Sequence, residues 1–353
     1  MKHAPRLEIN LDKIHHNART LIQRLDCRGI SITGITKATL GSPRIAKTLL
    51  RAGISTLGDS RIENIQSMRE ANVTAVMTLI RSPMSSQVEQ VVKFADISFN
   101  TEMSIVRKLS IEAVRTNRTH KVLLMVELGD LREGIMPDNL IAAAREARCM
   151  PNIILEGIGI NLACRNGVSP NASNMSALTQ LANNIEASSG RAISTISGGN
   201  SANLTWALND ADTGRINNLR LGEAILLGRE TLHRQAIDGL YTDAITLIAE
   251  VIESKLKPSK VSGDIAQSAF GNNRPTEDRG NITQTILALG IQDIDPDGLQ
   301  ADIGITVCGA SSDHLILEAT GHYLPVGAEV HFQLNYSALL RAMTSPFIRK
   351  NMT

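Results

Sequence analysis

Short runs of β-branched and aliphatic residues alternate with helical patterns along the first two thirds of the chain. Eight runs predict strands, at residues 30–36, 54–58, 73–80, 96–99, 121–127, 153–160, 192–196 and 219–221. Helical patterns lie between them, at residues 43–52, 61–71, 101–116, 137–148 and 174–188. Eight β/α units in about 225 residues favour a (β/α)8 barrel. A doubly wound sheet is the alternative, but no GxGxxG sequence follows the first strand.

The pattern changes after residue 235. Strand-like runs joined by Gly and Asp-Pro turns replace the alternation, and helix is scarce until the last twenty residues. The sequence therefore predicts an α/β fold with two domains. Residues 1–232 form a TIM-like barrel, and residues 233–353 form a mainly β domain.

Composition narrows the function classes. Of the 353 residues, 36 are Lys or Arg and 35 are Asp or Glu, so the net charge of +1 predicts no nucleic-acid partner. The first twenty residues contain no apolar run, which predicts neither a signal peptide nor a membrane span. Four widely spaced cysteines favour a reduced, cytoplasmic protein, and the eight histidines show no zinc-site spacing, so no metal is predicted.

Lys37 stands where the first predicted barrel strand ends, in "ISITGITKATLGSPRIAKTLLRAG". Side chains at the carboxyl ends of barrel strands face the active site. A partly desolvated lysine there has a lowered pKa and is a better nucleophile toward aldehydes. The alternative is a lysine that ends a strand in water.

Two later segments are candidates for phosphate binding. "ISGGNSANL" at residues 196–204 is a strand end, a glycine pair and a helix start, where amides and the Ser201 hydroxyl can hold a phosphate. "NNLRLGEAILLG" at residues 217–228 follows the eighth strand, a common phosphate position in barrels. An ordinary strand-to-helix turn is the alternative for the first segment. An aldehyde-reactive lysine and a phosphate site on one face suggest pyridoxal phosphate.

The sequence resembles the alanine racemase family, the barrel-type class of pyridoxal-phosphate enzymes, and within it the ornithine racemase branch. The likeness rests on an ordered series of segments. These are EINLDKIHHNA, GITKATLGSPRIAKTLLRAG, GDSRIENI, VELGDLREG, GIGINLACRNG, SGGNSANL, LRLGEAILLG and GASSDHLILEA. The resemblance implies a homodimer with active sites at the subunit interface.

The resemblance also implies residue roles. Lys37 would hold the cofactor as a Schiff base and act as one acid/base, and Arg132 would lie near the substrate carboxylate. Asn161 stands where the family has a histidine against the cofactor ring, and Arg220 matches the arginine that faces the pyridine nitrogen. The phosphate would be bound by Asn200, Ser201 and the amides near Gly222 and Glu223.

The residue at position 220 distinguishes racemisation from decarboxylation and transamination. Related decarboxylases of this fold place a glutamate at that position, which keeps the ring nitrogen protonated and makes the cofactor a strong electron sink. An arginine stays charged and disfavours that protonation. The carbanion is then quickly reprotonated at Cα, which favours racemisation over transamination or decarboxylation.

Racemisation requires acid/base groups on both faces of Cα. The family's second group is a tyrosine of the partner's β domain, and this chain has Ile291 at its expected place. The predicted replacements lie in "GASSDH", namely Ser312, Asp313 and His314. Asp313 is also a candidate for contacting the substrate amine, and Cys308 is a further candidate base.

The predicted activity is therefore interconversion of L- and D-amino acids, on a basic substrate such as ornithine or lysine. The alternatives are an alanine or serine racemase, a basic amino-acid decarboxylase and a non-catalytic pyridoxal-phosphate carrier. A cofactor-free Schiff-base aldolase is the fourth. Arg220 argues against the decarboxylase, and the roughly 120 residues of β domain argue against the carrier. The two phosphate-binding segments argue against the aldolase.

Overall fold

Eight parallel strands close into a barrel within residues 12–241. The computed structural model describes residues 4–209, 212–271, 277–321 and 323–353. Strand β1 (Arg6–Ile9) and helix α1 (Leu11–Asp26) come first in the sequence. The barrel strands are β2 (Ser31–Ile35), β3 (Thr56–Asp59), β4 (Val76–Leu79), β5 (Ile97–Asn100), β6 (His120–Met125), β7 (Ile153–Gly159), β8 (Thr195–Ser197) and β9 (Asn218–Leu221).

Helices follow the barrel strands, as the (β/α)8 pattern requires. They are α2 (Pro43–Arg51), α3 (Ile62–Glu70), α4 (Val88–Phe94), α5 (Met103–Arg115), α6 (Pro137–Cys149), α7 (Ala172–Ser189), α8 (Leu204–Leu208) and α9 (Glu223–Leu227). Proline opens α2 and α6. Its fixed φ suits the first turn, and its missing N–H costs no helical hydrogen bond at that position. Asn171 and Gly190 bound α7 with a capping box and a left-handed C-cap.

The barrel strands are buried on both faces, so they consist largely of aliphatic residues. Gly157 shows how closely β7 and β8 approach each other, because a Cβ there would collide with the Thr195 carbonyl. At the carboxyl end of the barrel, strands β3, β5 and β8 finish in the polar residues Asp59, Asn100 and Ser197. The predicted barrel is therefore confirmed, with all eight strands overlapping the predicted runs.

A mainly antiparallel sheet forms the second unit, which contains the amino-terminal residues as far as Leu11 and Thr242–Thr353. Its strands are β10 (Ile245–Pro258), β11 (Asn281–Leu287), β12 (Leu299–Ala301), β13 (Ile305–Ala310), β14 (Leu315–Ala319) and β15 (Glu329–Leu334), followed by helix α10 (Tyr336–Thr344) and strand β16 (Arg349–Met352). The sheet order is β12-β15-β10-β11-β14-β13, and β1 pairs with β10 and β16.

The division between the units differs from the one predicted at residues 232 and 233. Strand β1 pairs antiparallel with β10 and parallel with β16, so the amino terminus belongs to the β unit. Residues 233–241 belong to the barrel unit instead. There the Asn17 side chain bonds both the N–H and the C=O of Tyr241, at 2.8 Å each. In the described residues, no helix is both long enough and apolar enough to span a membrane.

His120 is buried at the start of β6, with 1% of its surface exposed and a 2.8 Å bond to Ser98. Burial lowers the pKa of His120 to about 4 from 6.5. The unfolded chain therefore binds more protons between these values. We expect the contribution to stability, on the order of 3 kcal/mol, to be complete above about pH 6.5 and lost as the pH falls to about 4.

Urea unfolding of wild type and His120→Gln between pH 7 and 4 measures this effect. We expect the variant to lose stability less steeply with acid over that range. His16→Gln, at an exposed position, is the control and should keep the wild-type slope. Equal slopes for all three proteins would contradict the assignment.

Candidate active site

Lys37 lies directly after β2, on a short 3-10 turn, and is half-buried. Burial lowers the pKa of its amine, and the positive charges of Arg132 and Arg220 lower it further. A lowered pKa leaves more of the amine uncharged near neutrality, which is the form that attacks a carbonyl. The surroundings of this lysine therefore favour the uncharged, nucleophilic form of its amine.

Asp59, at the end of the neighbouring strand β3, fixes the turn that carries Lys37. Its carboxylate accepts the Thr36 hydroxyl at 2.7 Å, the Arg61 N–H at 2.9 Å and the Asn64 amide at 3.0 Å. Burial raises the pKa of Asp59, although these hydrogen bonds oppose the shift. The backbone immediately before Lys37 is thus tied to the next strand.

Arg220 is 5% exposed and pairs in register with Thr33 of the strand that leads to Lys37. Its guanidinium donates to the Ser197 hydroxyl at 2.6 Å and to the Ile160 carbonyl at 2.7 Å, and it lies over the Phe99 ring at 5.3 Å. Burial lowers the pKa of Arg220 to about 10. The side chain still stays charged near neutrality.

Asn161 and Asn200 join the loops after β7 and β8. The Asn161 oxygen accepts from the Asn200 amide at 3.1 Å and from Arg220 at 3.3 Å. The Asn200 amide also donates to the Leu162 carbonyl at 2.8 Å, while its oxygen accepts the Ala202 N–H at 2.8 Å. The Asn200 side chain therefore holds these loops, and both of its amide hydrogens are in use within the protein.

Ser201 and helix α9 form the predicted phosphate segment. Ser201 is 4% exposed, and its hydroxyl oxygen accepts the Ala224 N–H at 3.3 Å. Gly222 is the N-cap of α9, and the Glu223 amide opens that helix without an acceptor inside it. The Glu223 carboxylate pairs with Arg234. Burial raises the pKa of Glu223, although the positive charge of Arg234 acts to lower it.

The loop after β6 is anchored by Asp130, which is fully buried. Its carboxylate accepts the backbone N–H groups of Cys164 at 3.2 Å, Arg165 at 2.9 Å, Asn166 at 3.2 Å and Val168 at 3.4 Å. Burial acts to raise the pKa of Asp130, but these amides hold it below its ordinary value. One carboxylate thus fastens the loop after β6 to the loop after β7.

We expect Asp130→Asn to lower kcat/KM for racemisation by roughly 10- to 100-fold. Each carboxylate oxygen of Asp130 faces two N–H donors, so the amide nitrogen of asparagine opposes two donors in either rotamer. The loops that carry Arg132 and Asn161 then separate. Steady-state kinetics measures the loss, with the exposed Asp138→Asn as the control. Unchanged kinetics in Asp130→Asn would show that the anchor does not position the site.

The predicted acid/base turn lies between β13 and β14 of the β unit. Asp313 accepts the Ser312 hydroxyl at 3.1 Å and bonds the His314 ring at 2.8 Å. These bonds, from His314 first, lower the pKa of Asp313. Gln292, next to Ile291, donates its N–H to the Ser312 carbonyl at 3.1 Å. The three polar groups therefore form one cluster beside the segment that contains Ile291.

Comparison with known proteins identifies the family. Residues 9–230 match the alanine racemase N-terminal domain. The chain is 39% identical to the lysine racemase of Thermotoga maritima over 348 residues, 98% of each protein. It is 35% identical to the ornithine racemase of Acetoanaerobium sticklandii over 352 residues, 99% of each protein.

The chain belongs to the alanine racemase family. The alanine racemase of Streptomyces lavendulae has the same fold, with a TM-score of 0.76 and 15% identity over 100% of this chain and 98% of that one. The predicted family, fold class, enzyme class and pyridoxal-phosphate cofactor are confirmed.

The site of this alanine racemase family member fits its cofactor chemically. The Asn161 amide nitrogen is buried and, among the described residues, has no hydrogen-bond partner. Such a donor is costly unless a bound group accepts from it. Next to it Arg220 supplies a buried positive charge, and Lys37 supplies an amine for the cofactor's aldehyde. These three groups fit a cofactor that combines a ring, hydrogen-bond acceptors and an aldehyde, as pyridoxal phosphate does.

Sequence reasoning missed three polar residues of this region, namely Asp130, Ser197 and Asn218. Ser197 and Asn218 are buried polar residues in short barrel strands, 0% and 8% exposed. Neither strand is mainly aliphatic, since β8 reads TIS and β9 reads NLRL, so these two polar residues gave no clear signal in the sequence. Asp130 stands in the quoted segment "VELGDLREG", but its partners lie more than thirty residues away, so the local pattern carried no signal for the anchor.

Proposed function

We propose that the protein racemises a basic amino acid, lysine or ornithine. The observation that carries this proposal is that Lys37 directly follows β2 while Arg220 lies on β9, the strand that pairs with β2 in register. The relatives at 39% and 35% identity are lysine and ornithine racemases, which supports a basic substrate.

Bound pyridoxal phosphate supplies an aldehyde that condenses with amino groups and a conjugated ring that accepts electrons released at Cα. Lys37 anchors the cofactor and then carries the proton to and from one face of Cα. Ser201 and the amides at Gly222 and Glu223 bind the phosphate, and Arg132 binds the substrate carboxylate.

Arg220 would hold the ring-nitrogen side of the cofactor and would disfavour protonation there, because a guanidinium keeps its charge at neutral pH. A less protonated ring would be a weaker electron sink, which would favour return of the proton to Cα. A decarboxylase needs a stronger electron sink, which a carboxylate at this position would provide. Arg220 therefore favours racemisation over decarboxylation.

The second acid/base comes from Ser312, Asp313 and His314, and the enzyme acts as a homodimer with active sites at the subunit interface. In the β unit, Asp293 is buried and takes the Ser345 hydroxyl at 2.6 Å. Asp313 is exposed and is the better candidate for contacting a substrate amine.

The four cysteines are free thiols, which supports a reduced, cytoplasmic location.

A racemase assay in deuterium oxide tests the substrate. Purified protein with pyridoxal phosphate is given the L forms of lysine, ornithine, arginine, alanine and serine, and the products are separated by chirality and mass. We expect deuterated D-lysine or D-ornithine to form with kcat/KM roughly tenfold or more above alanine. Racemisation of alanine or serine alone would contradict the proposed substrate, and release of carbon dioxide would indicate a decarboxylase.

A further inference from the structure

Arg220 is the first member of a hydrogen-bonded row of side chains inside the barrel. Its guanidinium donates to the Ser197 oxygen at 2.6 Å, and the Ser197 hydroxyl donates to the Asn218 oxygen at 2.7 Å. The Asn218 amide nitrogen in turn donates to Thr33 at 3.0 Å and to Ser31 at 3.2 Å. The row therefore links strands β9, β8 and β2.

The direction of these bonds is fixed by the hydrogens available. Ser31 uses its own hydroxyl hydrogen on the Asn217 carbonyl at 2.8 Å, so the Asn218 atom that faces it is the nitrogen. The Asn218 oxygen then faces Ser197 and accepts its single hydroxyl hydrogen. A Ser197 lone pair is therefore directed at Arg220.

The row supports a buried cation without neutralising it. Ser197 is 0% exposed, Asn218 8% and Arg220 5%, so water contributes little to the support. The acceptors around the guanidinium are a hydroxyl, a carbonyl and an amide oxygen. Across the residues that the structure describes, no carboxylate forms an ion pair with Arg220. Neutral acceptors hold its direction and leave its full charge for a bound group.

We propose that Ser197 and Asn218 are positioning residues, which aim the Arg220 guanidinium at the cofactor's ring nitrogen and preserve its charge there. The inference rests on the proposed function for its consequence, because an undiminished charge at that nitrogen favours racemisation over transamination. Ser197 acts on the direction of the guanidinium, and Asn218 acts through Ser197.

The other charged or titratable groups that face Arg220 lie outside this row. They are Arg132 and Glu133 on the loop after β6 and Cys164 on the loop after β7, with Lys37 after β2. Substitutions in the row leave all four unchanged. An altered cofactor site in such variants is therefore attributable to Arg220.

Ser197→Ala removes the acceptor of one guanidinium N–H. Pyridoxal phosphate is titrated into the apo-protein, and we expect its Kd to rise roughly 10- to 100-fold, because one charge-assisted hydrogen bond is lost from a buried site. The absorbance spectrum of the bound cofactor should change as well. Ser98→Ala is the matched control, since Ser98 is also 0% exposed on a barrel strand but bonds His120. It should lose stability yet keep the wild-type Kd and spectrum.

Asn218→Asp is isosteric and keeps the acceptor of the Ser197 hydroxyl, but it loses the donations to Thr33 and Ser31. It adds a negative charge within roughly 6 Å of the guanidinium, where opposite charges interact strongly. We expect more conversion of the cofactor to its amine form per racemisation event, by about tenfold or more, and a shifted absorbance spectrum. Asn217→Asp makes the same chemical change one residue earlier, where the side chain bonds Ile196 and Ser194. It should keep the wild-type ratio.

A change in Kd or spectrum in Ser197→Ala, or in the product ratio in Asn218→Asp, supports the positioning role when both controls behave as wild type. Wild-type values in Ser197→Ala and Asn218→Asp would overturn it. Kd and spectrum are measured without substrate, so they report on the row even if the wild-type protein racemises no basic amino acid. Absence of racemisation of basic amino acids by the wild-type protein would overturn the proposed function but not the positioning role.

Discussion

Replacing Lys37 by alanine is expected to abolish both racemisation and covalent attachment of the cofactor, while the fold is retained. The half-buried amine has a pKa lowered by burial and by two nearby arginines, which increases the uncharged fraction that reacts with an aldehyde. It also carries the proton on one face of Cα. Loss of a positioned acid/base costs about 10²–10⁴-fold in rate, and loss of the anchor adds to this.

The measurement combines kinetics with borohydride reduction. In the wild-type protein, reduction should fix the cofactor to the peptide that contains Lys37, as peptide mass shows. In Lys37→Ala, no peptide should carry it, and added methylamine should restore part of the activity by replacing the missing amine. Lys47→Ala, at an exposed position of α2, is the control. Cofactor fixed to another lysine of the Lys37→Ala protein would contradict the assignment.

The barrel was predictable because its strands are encoded locally. Runs of β-branched residues marked all eight strands, and proline and glycine marked several helix ends. Helix α4 (Val88–Phe94) was not among the helical patterns singled out as examples, because seven residues contain too few turns for a clear helical period. The placement of β1 was not predictable, since its partners β10 and β16 lie more than two hundred residues away.

The residues of the candidate site likewise fall into those that the sequence indicated and those that only the folded structure reveals. Lys37 was singled out because a charged residue at the end of a buried strand is conspicuous, whereas Arg220 was assigned through the family resemblance. Asp130, Ser197 and Asn218 were missed because each acts on a partner that only the closed barrel brings near. The role of Asn200 also depends on its partners, since its side chain holds the loops after β7 and β8.

The family's second acid/base is a tyrosine, and Ile291, which stands at its expected place, cannot transfer a proton. The β unit has a candidate substitute nearby. Asp313 receives hydrogen bonds from both Ser312 and His314, so its carboxylate orients two groups that can transfer protons. In such an arrangement the hydroxyl or the imidazole carries the proton, and the carboxylate fixes its direction. The cluster is joined by a backbone bond to Gln292, next to Ile291.

If the second acid/base lies in this cluster, substitutions there should impair proton transfer at one face of Cα and leave the other face unaffected. We expect alanine at Ser312, Asp313 or His314 to slow racemisation by about 10²–10⁴-fold in at least one variant. Proton exchange with solvent from one enantiomer should continue there, because Lys37 still serves its own face. His331→Ala, at an exposed position of β15, is the control and should racemise at the wild-type rate.

Single turnovers in deuterium oxide distinguish this arrangement from a mechanism in which Lys37 alone serves both faces. With two bases, the proton removed by one group is not the proton delivered by the other, so the product Cα carries mostly deuterium from solvent. With Lys37 alone, the substrate's own hydrogen returns internally in part of the turnovers. Wild-type rates in all three alanine variants would place the second base outside the Ser312–Asp313–His314 cluster, and Cys308 or Tyr336 would be the next residue to replace.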